Sequence, residues 1–299
     1  MASRNTSSNR KKGLGLRATS PPPESAAPTV SVCVPSYRGA THIAATIESV
    51  LAQTFSDFEL LIVDDDSPDE TAAVVARYPD PRIRFLRNEH NLGAEGNWNR
   101  CLELARGRYF KLLPQDDLLA PACLARQTDV LEADQSHRLA LVFCARTIVD
   151  GNTRAIMTRG YPSRRGGMIS SRSVIRRCLR RGTNLIGEPG SVLFRTGLAR
   201  RVGGFDASIG YTVDLDYWFR LLLQGDAYYL PESLASFRVS SGSWSVAIGR
   251  KQSGEFRSFI AKVAANPAFG TSAIDIATGK LMARLNSMLR LLVYRIVLD

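Results

Sequence analysis

The sequence predicts an α/β protein: a mostly parallel β-sheet flanked by helices, followed by a helical C-terminal extension. From residue 30 onward, short apolar runs rich in β-branched residues alternate with segments of helical periodicity. These segments are long enough to be the crossover helices that parallel strands require. Beyond residue 270, apolar residues recur at helical spacing to near the end of the chain.

The first half of the chain predicts strands and helices in regular alternation. Residues 30–35, 58–63, 83–86 and 109–113 are expected to form buried strands. Residues 43–51, 70–78 and 94–105 are expected to form helices, and a fourth helix is expected to begin near Pro121. Ligands of such folds bind outside the carboxyl ends of the strands, so the residues that follow each strand are the first candidates for a site.

The composition is that of a folded globular protein and excludes several protein classes. Of 299 residues, 44% are hydrophobic and 22% charged, and no uninterrupted apolar run approaches the ~20 residues of a membrane-spanning helix. Five cysteines occur singly, which favours reduced thiols and a cytoplasmic location. Because GxxxxGK[ST] and GxGxxG motifs are absent, ATP hydrolysis and NAD chemistry are not expected. Residues 1–28, rich in Ser, Pro and basic residues, predict a disordered leader.

Acidic residues follow two of the predicted strands. Asp64, Asp65 and Asp66 come after the second strand, and Asp116 and Asp117 after the fourth. A single acid before each following helix could be explained as the N-cap of that helix. Here three acids precede one helix and two precede another, which is more than capping requires. Carboxylates at a sheet edge bind ribose hydroxyls, or hold a divalent cation that completes its shell with phosphate oxygens. The sequence therefore predicts a nucleoside diphosphate site with Mg²⁺ or Mn²⁺.

Four segments of the chain carry a family resemblance. They read, in order, VSVCVPSYRGATHIAATIESVLAQTFSDFELLIVDDDSPDET, NLGAEGNWNRCLELARGRYFKLLPQDD, GSVLFRTGLARRVGGFDASIG and VDLDYWFRLLLQG. Together they resemble family-2 glycosyltransferases over roughly residues 30–245. The resemblance implies a Rossmann-type GT-A domain at residues 29–245, with a nucleotide-binding half at 29–120 and an acceptor half at 121–245. It also implies transfer of a sugar, with inversion, from a nucleotide sugar (a UDP-sugar is favoured) to a glycan or lipid-linked saccharide.

The resemblance implies roles for particular residues. Those expected to bind the nucleotide are Pro35, Ser36, Tyr37, Asp65, Asn99 and Asp116. Of these, Asp65 would hydrogen-bond the base. Asp116 and Asp117 would hold the metal ion, which offsets charge on the departing diphosphate. Asp214 would be the general base that takes the proton of the acceptor hydroxyl, with Asp216 as the less favoured alternative.

The chain departs from the family pattern at three positions. Pro114 replaces the first acid of the metal-binding motif, Val213 replaces the Glu before the base, and Ser240 stands where a histidine is common. These departures motivate an alternative, a catalytically degenerate glycosyltransferase-like binding or scaffold protein. A sugar nucleotidyltransferase is a further alternative, but the segment PSYRGATH after the first strand lacks the Gly-rich loop expected of one.

Positive charge is concentrated in the acceptor half. The net charge is +11, and residues 154–181 hold nine arginines without one Asp or Glu. Such a run attracts an anionic acceptor or anionic lipid, although a solvated basic face is the alternative. A nucleic-acid partner is not expected, because aromatic residues do not interleave with the basic ones.

The C-terminal segment, residues 246–299, predicts a basic amphipathic helix at 274–298. Leu281, Leu285 and Leu289 fall on one face, whereas Lys280 and Arg284 fall on another. A helix of this kind lies in a membrane interface, which would place the protein peripherally on the inner face of the membrane. The alternative is that the helix packs on the catalytic domain or on a partner subunit.

Overall fold

The structure, a computed structural model, describes residues 27–239 and 252–297, with side chains as far as Leu289. The predicted leader up to residue 26, Ser240 and the boundary at residue 246 lie outside the described residues. The described strands are β1 (Val30–Ser36), β2 (Phe58–Asp64), β3 (Ile83–Arg87), β4 (Tyr109–Leu112), β5 (Leu118–Leu119), β6 (Leu139–Val149), β7 (Ala155–Arg159), β8 (Gly167–Ile169), β9 (Val192–Arg195) and β10 (Asp226–Arg238). The described α-helices are α1 (Ile43–Leu51), α2 (Thr71–Val75), α3 (Gly93–Leu104), α4 (Cys123–Ala133), α5 (Ser171–Arg181), α6 (Thr196–Val202), α7 (Val213–Leu222), α8 (Gln252–Ala265) and α9 (Ala273–Val297).

The strands form one sheet in the order β3-β2-β1-β4-β9-β6-β10-β5, with β7 beside β6 and β8 beside β10. The predicted α/β class is confirmed, and β3, β2, β1 and β4 are parallel to one another. Strand β9 is antiparallel to both β4 and β6, so the second half of the sheet is mixed. The β6–β7 pair is antiparallel because a short turn joins these strands, and a parallel pair needs a long crossover.

Both faces of the central strands are covered, which explains their near-continuous apolar sequences. In β1, Val32 and Val34 belong to one core layer, whereas Cys33 between them belongs to the other. The first layer includes residues of α1, α2 and α4, and the second includes residues of α3, α5, α6, α7 and α8. All five cysteines are buried and free.

The predicted helices are close to the observed ones, with two differences. Helix α2 ends at Val75 rather than near Tyr78, because the residue before Pro79 disfavours helical geometry and the chain turns there. Helix α4 begins at Cys123, two residues after Pro121. Among the described helices, none is both long enough and apolar enough to cross a bilayer.

Candidate active site

A cavity of about 730 Å³ opens where the parallel strands end. The predicted site residues that line it are Pro35, Ser36, Tyr37, Asp65, Asp116 and Asp214. The sheet brings the first five together because β1, β2 and β4 are parallel neighbours whose carboxyl ends lie at one edge. Helices α7 and α8 also line the cavity, through residues that include Asp214 and Phe256.

Gln115 fixes the end of β1 to the loop after β4. Its side-chain oxygen accepts hydrogen bonds from the Ser36 hydroxyl (2.7 Å) and the Tyr37 amide (3.0 Å). Its side-chain nitrogen donates to the Tyr37 carbonyl at 2.9 Å. A Cβ at Gly39 would lie 2.3 Å from the Gln115 side-chain oxygen, so a larger residue there would force Gln115 to move. Tyr37 is left exposed at the cavity mouth, where its ring can contact a planar base.

Asp65 organises the loop that precedes α3 and borders the cavity. Its carboxylate accepts hydrogen bonds from the Asn88 side chain (2.8 Å) and from the amides of Leu92 (2.8 Å) and Gly93 (2.9 Å). Gly93 has a φ of 75°, a conformation that favours glycine. The carboxylate therefore shapes this part of the wall, and Asp65 is itself one of the residues that line the cavity.

The two acids after β4 have different environments. Asp116 lines the cavity, and burial raises the pKa of its carboxyl. Asp117 is buried and accepts a hydrogen bond from the Arg238 amide at 3.0 Å. Burial, and then the charge of Asp116, raises the pKa of Asp117 well above its ordinary value. Among the described residues, Asp116 is thus part of the cavity lining and Asp117 is not; that both acids hold a metal ion stays a prediction.

Asn99, like Asp117, is a predicted site residue that lies outside the cavity lining of the described residues. Its side-chain oxygen accepts from the Phe205 amide (2.7 Å), and its nitrogen donates to the Phe205 carbonyl (3.1 Å). Asn99 thus holds a turn before α7 and, among the described residues, is not part of the cavity lining. Asn97, two residues earlier in α3, lines the cavity and donates to the Val63 carbonyl at 3.0 Å. The two-residue offset matters because it rotates the side chain about 200° around the helix.

Asp214 lies in the first turn of α7, half-buried in the cavity wall. One carboxylate oxygen accepts from the Asn184 side chain at 2.9 Å, and the other accepts from the Leu215 amide at 2.7 Å. Burial and the charge of Glu188 raise the pKa of Asp214 to about 7. This carboxyl is therefore able to exchange a proton near neutral pH, as a general base must.

Asp216, the alternative base, is engaged in ion pairs. It binds Arg220 at 2.9 Å and Lys262 at 2.7 Å, and its side chain is 9% exposed. It joins α7 to α8 and, in the described part of the chain, is not part of the cavity lining. Of Asp214 and Asp216, only Asp214 is therefore part of the cavity lining in the described residues.

The sequence interpretation missed an acid and an amide on one loop. Glu188 lines the cavity and is bound by the buried Arg146, with Nε 2.5 Å from Oε2. Burial opposes its ionised form, but Arg146 and Arg159 hold the pKa of Glu188 below its ordinary value. Asn184 lies on the same loop and accepts from the amides of residues 186 and 187. The feature of the sequence that points to Glu188 is that it is the one charged residue in the stretch NLIGEPGSVLF.

The described residues offer a metal ion few protein ligands. They contain no group of three or more His, Cys, Asp or Glu side chains arranged to hold one. Asp116 supplies a single carboxylate at the cavity. Mg²⁺ is commonly held by one or two carboxylates together with substrate phosphates and water. The residues therefore fit a cation that shares its shell with a diphosphate, and not one held by protein ligands alone.

The arginine run does not form one uniform patch. Arg159 lines the cavity, whereas Arg176 and Arg180 both bind Asp275 of α9, which is buried. Arg177 lies over the ring of Tyr161, 5.1 Å from its centre. The acid that compensates part of the run thus comes from a helix about a hundred residues later. The sequence did not predict that these arginines pair with Asp275, because the residues are far apart in the chain.

The sequence was compared with known proteins. A family model described as Glycosyl transferase family 2 matches residues 31–200. An uncharacterised protein of Mycobacterium tuberculosis is 35% identical over 224 residues, which is 73% of this chain and 69% of that protein. The Escherichia coli enzyme WfgD, a UDP-Glc:α-D-GlcNAc-diphosphoundecaprenol β-1,3-glucosyltransferase, is 45% identical over 89 residues, 30% of this chain and 35% of the enzyme.

Two solved structures resemble the fold. S. aureus TarS 1–349 in complex with UDP-GlcNAc has a TM-score of 0.63 at 18% identity, covering 88% of this chain and 73% of TarS 1–349. Mannosyltransferase PcManGT of Pyrobaculum calidifontis, in complex with GDP-Man and Mn²⁺, has a TM-score of 0.59 at 18% identity. It covers 92% of this chain and 77% of PcManGT. At such identities the likeness concerns the fold.

Proposed function

Because the chain belongs to glycosyl transferase family 2, and is thus a glycosyltransferase that uses a nucleotide sugar, we propose a finer assignment. The cavity binds a UDP-sugar, and Asp214 activates the acceptor hydroxyl for transfer with inversion. One observation carries this proposal: Asp65 and Asp116 at the strand ends line the same cavity as Asp214 of α7.

The donor side is assigned from the residues at the strand ends. Tyr37 and the free acceptor capacity of Asp65 suit a base that presents an N–H group, as uracil does. Asp116 is placed for the ribose and a divalent cation. WfgD of E. coli is named for UDP-Glc, and TarS 1–349 is in complex with UDP-GlcNAc; both support a UDP-sugar. Mg²⁺ or Mn²⁺, when bound, neutralises negative charge on the diphosphate, and the Mn²⁺ complex of PcManGT supports such use.

The acceptor side is assigned from Asp214. The acceptor oxygen attacks the anomeric carbon on the side opposite the diphosphate, its proton passes to the Asp214 carboxylate, and the bond to the diphosphate breaks. A single displacement of this kind inverts the anomeric centre. Asn184 orients the carboxylate through its hydrogen bond. We propose a lipid-linked saccharide as acceptor, because the name of the E. coli relative includes a diphosphoundecaprenol substrate.

A nucleotide-binding measurement tests the donor site. We expect calorimetry to detect UDP binding that strengthens with Mg²⁺ or Mn²⁺ and that is lost in Asp65→Ala. The loss has two causes: the base contact disappears, and the amides of Leu92 and Gly93 lose their acceptor. Asp66→Ala is the matched control, because that exposed neighbour pairs with Arg87. Equal UDP affinity in the two variants would contradict the assignment of Asp65.

The pH dependence of transfer tests the base. Since the base acts in its ionised form and the pKa of Asp214 is about 7, kcat/KM should rise with pH through neutrality and then level off. Asn184→Ala removes a donor to the ionised form and should move the apparent pKa upward. Glu188→Gln removes a nearby like charge and should move it downward. Asn266→Ala, which only removes a cap at residue 268, should leave the profile unmoved. Shifts in the same direction for both loop variants would oppose this assignment.

A catalytically degenerate binding protein is the second candidate. Pro114 removes one acid of the metal-binding motif, and of the two acids that remain in the motif only Asp116 is part of the cavity lining among the described residues. This candidate predicts nucleotide binding without turnover of any donor sugar. Release of UDP from a panel of UDP-sugars distinguishes the two.

A further inference from the structure

The C-terminal helix α9 has an apolar face that the described part of the chain does not cover. Its large exposed apolar side chains are Ile274, Leu281, Leu285, Met288 and Leu289. Their exposed fractions run from 44% at Leu285 to 70% at Ile274 and Met288. At about 100° per residue they lie on one side of the helix over roughly four turns. We call this surface the outer face of α9.

The opposite side of α9 is held tightly against α5 by small residues. A side chain at Gly279 would lie 2.5 Å from the Leu179 carbonyl oxygen, and one at Gly182 would lie 2.4 Å from the Ala283 amide nitrogen. The Asn286 side chain donates to the Arg181 carbonyl at 2.6 Å. These contacts fix the rotation of α9, so the outer face points away from the domain that α9 packs on.

Basic residues flank the outer face, and described carboxylates do not. Lys280 and Arg284 are exposed. Arg284 lies beside the outer face, because it comes three residues after Leu281 and four before Met288, and residues at these spacings are neighbours on a helix surface. The one carboxylate in the described side chains of α9, Asp275, is buried and bound to two arginines. The helix continues to Val297, and the sequence of that last part, RLLVYRIV, adds two arginines and no acid.

We propose that the outer face of α9 and its basic flank bind the surface of an anionic lipid bilayer. A helix lying in the interface buries its apolar side at the acyl boundary and keeps its cations at the head groups, whose negative charge complements Lys280 and Arg284. A second copy of the chain is a poorer occupant. Two outer faces in contact would bring basic flanks together without carboxylates to pair them. This inference is independent of the donor and the acceptor proposed above.

Vesicle flotation of the full chain tests the proposal. We expect it to float with vesicles of phosphatidylcholine and phosphatidylglycerol and to stay unbound with phosphatidylcholine alone. The variant Leu281→Ser/Leu285→Ser/Met288→Ser should lower partitioning by at least about tenfold, because it removes apolar contact with the bilayer. Lys280→Gln/Arg284→Gln should lower it about fivefold for each charge removed.

The control variant is Arg77→Gln/Arg106→Gln, which removes the same charge from exposed positions outside both α9 and the arginine run at residues 154–181 and should keep partitioning near that of the parent. The leader, which is also basic, is unchanged in every variant, so differences report on α9. A circular dichroism spectrum and a thermal unfolding midpoint like those of the parent will show that the serine variant is folded. Three results would overturn the proposal: no flotation, equal flotation of parent and serine variant, or a dimer in sedimentation equilibrium that the serine variant abolishes without any lipid binding.

Discussion

Asp214→Asn is expected to lower the rate of sugar transfer by about 10²–10⁴-fold while UDP affinity stays unchanged. The amide keeps the size of the carboxylate and can still accept the hydrogen bond from Asn184, but it takes up no proton near neutral pH. Asp214 belongs to α7 and not to the strand ends that carry Asp65 and Asp116, so we expect the nucleotide contacts to be unaltered. Initial rates of UDP release with saturating donor and acceptor, together with calorimetric binding of UDP, give the two quantities.

Asp216→Asn is the matched control for this experiment. It makes the same chemical change two residues later on α7, at an acid bound to Arg220 and Lys262. We expect a loss of stability from these broken ion pairs and little change in the rate constant of the folded enzyme. If the control variant lost the larger share of activity, the roles of the two acids would have to be exchanged.

Arg146→Met is expected to cost about 3 kcal/mol in the free energy of unfolding, because it leaves the Glu188 carboxylate without its closest cation in a largely buried position. Arg146 is 1% exposed, and the Glu188 side chain is 20% exposed. The double variant Arg146→Met/Glu188→Gln should recover most of this loss, since no uncompensated charge remains. Urea unfolding of the single and double variants measures both effects.

An exposed ion pair provides the comparison for Arg146. Arg126 binds Glu232 with side chains 50% and 42% exposed, so Arg126→Met should change the unfolding free energy by less than about 1 kcal/mol. A double variant that is no more stable than Arg146→Met would show that packing, and not the charge of Glu188, accounts for the loss.

Much of the fold could be predicted from local patterns. The alternation of apolar runs and helical segments gave the parallel half of the sheet, since strands covered on both faces need nearly continuous apolar sequences. The second half was less predictable. Strands β5, β7 and β8 have two, five and three residues, too few to show a periodicity, and the antiparallel partner of β5 and β8 is β10, far away in the chain.

By itself the sequence determined which strand ends carry acids and that Asp214 begins a helix. Parallel strands align their carboxyl ends, so Asp65 and Asp116 had to lie at one edge. Only the tertiary structure decided which neighbours face the cavity. Asn97 lines it and Asn99 does not, because two residues rotate a helical side chain about 200°.

The same holds for partners that are distant in the chain. Asp117 is turned to the Arg238 amide, and Glu188 is held by Arg146, across 121 and 42 residues. The α9 helix illustrates both levels: its amphipathic pattern is local, but which side is buried depends on the small residues that meet α5. Composition and spacing fix which face each element can bury. The packing of several elements fixes where each polar side chain lies, because its hydrogen bonds and ion pairs form with residues that only the fold brings together.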